Sequence, residues 1–352
     1  MKFGVFLPNG SNGYIPSAGS PQYAPSYAHN LAIAQEAERQ GLDFVLSMMK
    51  FRSFGGTTGY WDACLESFTL MAALAAATQR VELYPSISIL SQHPAVVARM
   101  VATIDEISAG CCGLNIVTGW NRAEYAQMGL WPGDAYYERR YEYASEYLAI
   151  LKTLWSEGRC THHGEFFQLD DCVVYPQPQR HVPIVCAGQS PRGKQFVADL
   201  ADHQFVMTGQ SNLIPGVIDI KARARRSGRT VGIYALYHML VADSDDEAVR
   251  LGQDIIARAD RGALANILAS ASLDTNAAGT SDQLKAALEQ SIEEGNMAFM
   301  GIPVVLGSPA TVARQIADIG AATGIDGMLF SWPDFETGIR RFGTEVMPLL
   351  GR

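Results

Sequence analysis

The chain has 352 residues, 48% of them hydrophobic and 18% charged, with a formal net charge of −9. That composition excludes a disordered chain, and the acidic balance argues against a nucleic-acid partner, since such binders present basic patches that release counterions. No apolar run reaches the length of a membrane span and no basic n-region with a long apolar h-region opens the chain, so a cytoplasmic protein with no membrane partner is expected.

Short apolar runs alternate with amphipathic segments along the chain. The strand pattern falls at 3–7, 44–47, 81–89, 113–118, 184–187, 204–207, 232–241 and 327–331. Helical periodicity occupies 27–40, 64–78, 94–108, 135–156, 190–201, 212–227, 244–258 and 308–322, with 334–348 after the last strand. Eight strands separated by helices predict an α/β fold of the TIM (β/α)8 barrel type rather than an open sheet. No linker rich in Pro, Gly and Ser divides the chain, so 1–352 reads as a single domain. Two stretches interrupt the alternation: 157–183, with aromatics, prolines and a His pair, reads as an insertion after the fourth helix, and 259–302 is rich in Ala, Ser and Asn with an amphipathic 281–293. Loops of this length predict lids over the carboxyl-terminal face, with the substrate beneath one of them.

Several familiar chemistries drop out. No GxGxxG follows the first strand and no GxxxxGKS/T occurs, which removes a Rossmann dinucleotide site and a P-loop. The six cysteines show no CxxC spacing and read as buried thiols in a reducing compartment. His162 and His163 are neighbours that point to opposite sides of an extended chain, so no metal is expected there, and no Ser/His/Asp arrangement is visible. The basic cluster at 221–229 reads as a solvated helix face.

Three features call for explanation. Asn115 interrupts the apolar run 113–118, where a strand buried on both faces has no place for an unsatisfied amide. After the run at 184–187, Gly188, Ser190 and Pro191 mark a turn, an N-cap and a first helical position, and the free N–H groups of such a start suit a phosphate as well as an ordinary cap. The helix beginning near 135 carries Arg139 and Arg140, and a guanidinium reaching that anion fits the sequence as well as a surface ion-pair run.

The segments MKFGVFLPNGSNG, LSMMKFRSFGG, WDACLESFTLMAALAA, ARMVATIDEISAG, NIVTGWNRAEYAQMG, WPGDAYYERRYEY and CAGQS resemble the pyrimidine oxygenases of uracil degradation. Those enzymes fall within the bacterial-luciferase-like superfamily of two-component, reduced-FMN-dependent oxygenases. The resemblance covers residues 1–200 closely, weakens over 203–300 and returns at VVLGSPATVARQIADI and DFETGIRRFG. It implies a luciferase-like barrel that binds FMN as FMNH2. Met49, Lys50, Asn115 and Glu124 match flavin contacts, and Arg140, Tyr141 and Ser190 match positions near the ribityl phosphate. Ser86 stands where the family has a threonine beside the oxygen site, keeping the hydroxyl without the methyl, so Asn115 and Ser86 are the implied catalytic pair. The implied reaction uses O2 and a nucleophilic flavin peroxide to open uracil or thymine at an amide bond. NADH would enter only through a separate flavin reductase that releases FMNH2, and relatives are commonly homo-oligomers. Neighbouring readings are cleavage of another cyclic amide or of a carbon–sulfur or carbon–halogen bond. From other classes come a deazaflavin-dependent reductase and a flavin binder without turnover.

Overall fold

A computed structural model describes residues 1–275, 280–293 and 295–352. Its strands in chain order are β1 (Lys2–Phe6), β2 (Phe44–Leu46), β3 (Glu82–Tyr84), β4 (Ser86–Ser88), β5 (Leu114–Val117), β6 (Arg159–His163), β7 (Gln168–Val173), β8 (Ile184–Cys186), β9 (His203–Val206), β10 (Gly232–Val241), β11 (Val304–Gly307) and β12 (Gly327–Ser331). All except β6 and β7 join one parallel sheet in the order β3-β2-β1-β12-β10-β9-β8-β5-β4, with β11 added to β10. The stretch 81–89, expected as one strand, is two. Pro85 has no N–H for the ladder, and on either side of it β3 pairs with β2 while β4 pairs with β5. Leu83 also bonds the backbone just before β5, donating to the Cys111 carbonyl and accepting from Gly113, which closes the ring into the TIM-type barrel.

Alternation along the strands separates two apolar layers. Phe44, Leu46, Tyr84, Val185, Phe205, Tyr234, Leu236 and Leu329 fill the barrel. Their neighbours Val45, Leu83, Ile116, Cys186, Val206, Ala235 and Phe330 face outward and pack in the layer shared with the helices. Gly4 lies against the Phe44 ring, and any Cβ there would collide with it. The helices start where the sequence provides caps: His93 before Pro94, Ser190 before Pro191 and Ser308 before Pro309.

The two irregular stretches take different places. Residues 159–173 form an antiparallel hairpin, β6–β7, which the sequence pattern did not reveal. It packs along the outside of two helices rather than over the barrel mouth. Glu146 of helix Tyr136–Glu157 accepts from the backbone N–H groups of Phe166 and Phe167, and Arg99 of helix Pro94–Ile107 donates to the carbonyls of Val173 and Tyr175. The expectation of a lid at 157–183 is therefore corrected. An insertion between a helix and the next strand leaves from the amino-terminal end of the barrel, and its aromatic face finds Tyr143, Tyr147 and His93. His162 meets Glu146 at 2.9 Å while His163 turns to Gln168 at 3.2 Å.

The 259–302 stretch, of which 276–279 and 294 lie outside the described residues, holds helices Arg261–Ala271 and Thr280–Glu293 and a 3-10 turn at Met297–Phe299. It reaches the loops that follow β1 and β2. Asp260 accepts from the Thr58 N–H and hydroxyl, both at 2.7 Å, and Asn266 donates to the Phe54 carbonyl at 2.7 Å. β11, also absent from the sequence reading, continues this segment back onto the far half of β10.

Candidate active site

Met49, Lys50, Glu124, Arg140, Tyr141 and Ser190 stand on loops or helices that follow carboxyl-terminal strand ends, the face where barrel enzymes place their chemistry, and Asn115 and Ser86 stand on β5 and β4 themselves. The anion end is built from the turn after β8. Ser190 caps helix Pro191–Leu200, its Oγ accepting from the Gly193 N–H at 3.0 Å. The chain is drawn tightly together here: a Cβ on Gly193 would lie 2.5 Å from Tyr141 Oη, and one on Gly188 would lie 2.7 Å from the Gly193 carbonyl oxygen. Burial pushes the Tyr141 phenol up in pKa, with the charge of Arg140 and the Ser190 hydroxyl pulling the other way. Helix rotation separates the two arginines that the sequence left ambiguous. Arg139 pairs with Glu142 and Glu165 at the surface, whereas Arg140 is 1% exposed. Arg140 Nη1 donates to Asp274 at 2.8 Å, while its Nε and Nη2 have no hydrogen-bond partner among the described residues. Leaving a buried donor unmatched costs about 1–3 kcal/mol, so this guanidinium, linked through the Tyr141 ring to the glycine turn and the helix start, fits a phosphate.

Asn115 and Ser86 face each other across β5 and β4 in register. Asn115 Nδ2 donates to Ser86 Oγ at 2.7 Å, and the Ser86 hydroxyl donates to the Ser47 carbonyl. That relay assigns the amide orientation. Because the only Ser86 proton is committed to Ser47, Ser86 accepts from Nδ2, and Asn115 Oδ1 is left buried without a partner among the described residues. Asn115 thus presents an acceptor as well as its second amide proton, while Ser86 orients it.

The third group surrounds Lys50, which follows β2. Its ammonium forms an ion pair with Glu124, both side chains being almost fully buried. Glu124 lies in the first turn of helix Arg122–Ala126 and also accepts from Asn121 Nδ2 and the Phe51 N–H, each at 3.0 Å. Lys50 Nζ lies 3.9 Å from the Phe54 ring centroid, 5.6 Å from Trp61 and 5.8 Å from Trp120. Burial lowers the pKa of Lys50, opposed by the carboxylate of Glu124. The sequence reading missed these three aromatics and Asn121, although Trp120 and Asn121 sit inside NIVTGWN and Trp61 opens WDACLESF. Met49, next to Lys50, turns its sulfur toward β4 and accepts from the Ser88 N–H at 3.1 Å. A cavity of about 960 Å³ between β9 and the helices Gln210–Arg226 and Thr280–Glu293 meets this rim at Gln189 and at Lys194 of helix Pro191–Leu200.

Residues 1–327 match the family model described as luciferase-like monooxygenase. The chain is 44% identical over 355 aligned positions to the pyrimidine monooxygenase RutA of Serratia proteamaculans, covering 99% of this chain and 95% of that one. It is 45% identical to the protein of the same name from Methylorubrum extorquens, covering 99% and 96%. Among solved structures, riboflavin lyase with modified FMN and riboflavin superposes with a TM-score of 0.86 at 22% identity, covering 100% of this chain and 91% of that one, a likeness of fold. With the family model spanning nearly the whole barrel and relatives this similar end to end, the chain belongs to the luciferase-like monooxygenase family.

Proposed function

We propose that this protein is an FMN-dependent monooxygenase that opens the uracil or thymine ring at an amide bond, using FMNH2 supplied by a separate reductase. The observation that carries the cofactor is the buried Arg140 with two unmatched donors beside Tyr141 and Ser190. The name shared by relatives at 42–45% identity supports a pyrimidine as substrate. FMN, when bound in its reduced form, supplies the electrons that activate O2.

The chain's own residues do the rest. Arg140, Tyr141, Ser190 and the start of helix Pro191–Leu200 would hold the phosphate, and Met49, Lys50, Asn115 and Glu124 would line the ring end. Phe54, Trp61 and Trp120 surround the Lys50 ammonium and would form an aromatic wall beside a flat heterocycle. Asn115 Oδ1 can accept a ring N–H, and the Lys50 ammonium can stabilise negative charge developing on a ring carbonyl oxygen in a water-poor site. A site that hydrogen-bonds ring amides rejects analogues lacking them by a large factor, because its buried polar groups would be left unpaired.

Incubation with uracil, FMN, NADH and a flavin reductase under oxygen-18 gas tests the reading. A ring-opened product carrying the label is expected by mass spectrometry. Uracil returned unchanged while a thioether, sulfone or haloarene is cleaved would transfer the activity to another substrate class.

A further inference from the structure

The guanidinium assigned to the flavin phosphate already holds a carboxylate. Arg140 Nη1 donates to Asp274 Oδ2 at 2.8 Å, and the Ser281 hydroxyl donates to the same oxygen at 2.6 Å. The pair is dry, with side chains 1% and 0% exposed. Asp274 does not come from the barrel. It lies just past helix Arg261–Ala271, and Ser281 lies in the first turn of helix Thr280–Glu293, both in the stretch that crosses the loops after β1 and β2. The contact therefore ties that overlying stretch to the anion end.

A phosphate drawn to Nε and Nη2 of Arg140 would meet the Asp274 carboxylate across the same guanidinium, and charge sets the two anions against each other. Arg140 and Asp274 together are neutral, and a phosphate monoester brings about −1.5 to −2 at neutral pH. Two anions sharing one buried guanidinium repel strongly at low dielectric, beyond what the partial positive charge of a helix start offsets. A phosphate offers three oxygens to the fork of donors, whereas Asp274 engages only Nη1 and leaves Nε and Nη2 unmatched. The carboxylate is the weaker ligand of the two.

We propose, building on the FMN reading above, that Asp274 is a built-in competitor for the flavin phosphate: it closes on Arg140 when no flavin is bound and is displaced as the phosphate enters. Flavin occupancy and the seating of Asp274 and Ser281 are then reciprocally linked. FMN binds more weakly than its contacts alone would dictate, which suits a cofactor taken up reduced from solution and released after turnover.

The test compares Asp274→Asn with the unaltered protein, titrating each apoprotein with FMN and with riboflavin, which lacks the phosphate. FMN should bind the variant roughly 5- to 150-fold more tightly, the usual range for coupled events, and riboflavin binding should not change. Hydrogen exchange on the unaltered protein provides a second reading: peptides covering 272–275 and 280–293 should exchange faster with FMN than with riboflavin. Equal or weaker FMN binding by the variant, or slower exchange in those peptides with FMN, would overturn the competitor and make Asp274 a positioning partner of Arg140. If neither protein binds FMN, the flavin reading falls and the competitor with it.

Discussion

At the scale of single residues, the site is governed by which hydrogen bonds are already committed. The relay from Asn115 through Ser86 to the Ser47 carbonyl leaves one amide face of Asn115 for a ligand. Asn115→Ala should lower oxygen transfer by ~100-fold or more, the usual loss for a preorganised polar group at the reacting centre. FMN affinity should be largely kept, since Asn115 is one contact among several. Ser86→Ala leaves the amide in place but free to turn, so its loss should be nearer ~10-fold, the equivalent of one hydrogen bond, with Ser86→Thr restoring the rate. Single-turnover kinetics beside FMN titration separate the two effects, and normal turnover by Asn115→Ala would remove that residue from the mechanism. Lys50 gives a pH prediction. Burial depresses its pKa, so the folded protein releases this proton at a lower pH than the ordinary lysine value of about 10.4. Within the window between the depressed value and the ordinary one, the unfolded chain binds the extra proton, and stability from this group rises with pH. Activity should do the reverse, falling on the alkaline side as the ammonium is lost. The pH profile of Lys50→Arg, whose guanidinium stays charged, should lack that limb.

At the scale of elements, the start of helix Pro191–Leu200 serves the fold and, in the proposed function, the ligand as well. Ser190 satisfies an otherwise unmatched N–H of the first turn, and its loss should cost about 1 kcal/mol of stability. Because the same turn faces Tyr141, Ser190→Ala should weaken FMN binding while leaving riboflavin binding unchanged. Parallel titrations with the two ligands check this, and an equal loss for both would mean that Ser190 acts on the fold alone. The hairpin β6–β7 teaches the opposite lesson. Its aromatic and His-rich sequence resembled a functional loop, yet His162 is taken up by Glu146 and Phe167 by Tyr143 and Tyr147.

For the whole molecule, the prediction concerns electron supply. The chain carries no GxGxxG dinucleotide fingerprint, and the proposed function gives NADH to a separate reductase. NADH, FMN and the purified protein should therefore give no product, and an added flavin reductase should restore turnover. Product formed without that reductase would overturn the two-component reading.

Periodicity alone determined most of the barrel, because alternation of apolar residues fixes which face of a strand is buried, and caps such as Ser190-Pro191 mark where helices begin. Asn115, the odd polar residue in an apolar strand, was also conspicuous without a structure, since burial demands a reason for every amide. Other features belong to the tertiary structure. Which of Arg139 and Arg140 turns inward depends on the helix packing against the barrel, and the polarity of Asn115 depends on the Ser47 carbonyl just past the end of β2. Asp274 meets Arg140 across 134 residues of sequence, and Trp120, from the loop after β5, joins Phe54 and Trp61 of the Lys50 loop around the ammonium. No local pattern encodes such meetings, because barrel closure and the packing of an insertion over the rim decide them, and both depend on contacts between residues far apart in the chain.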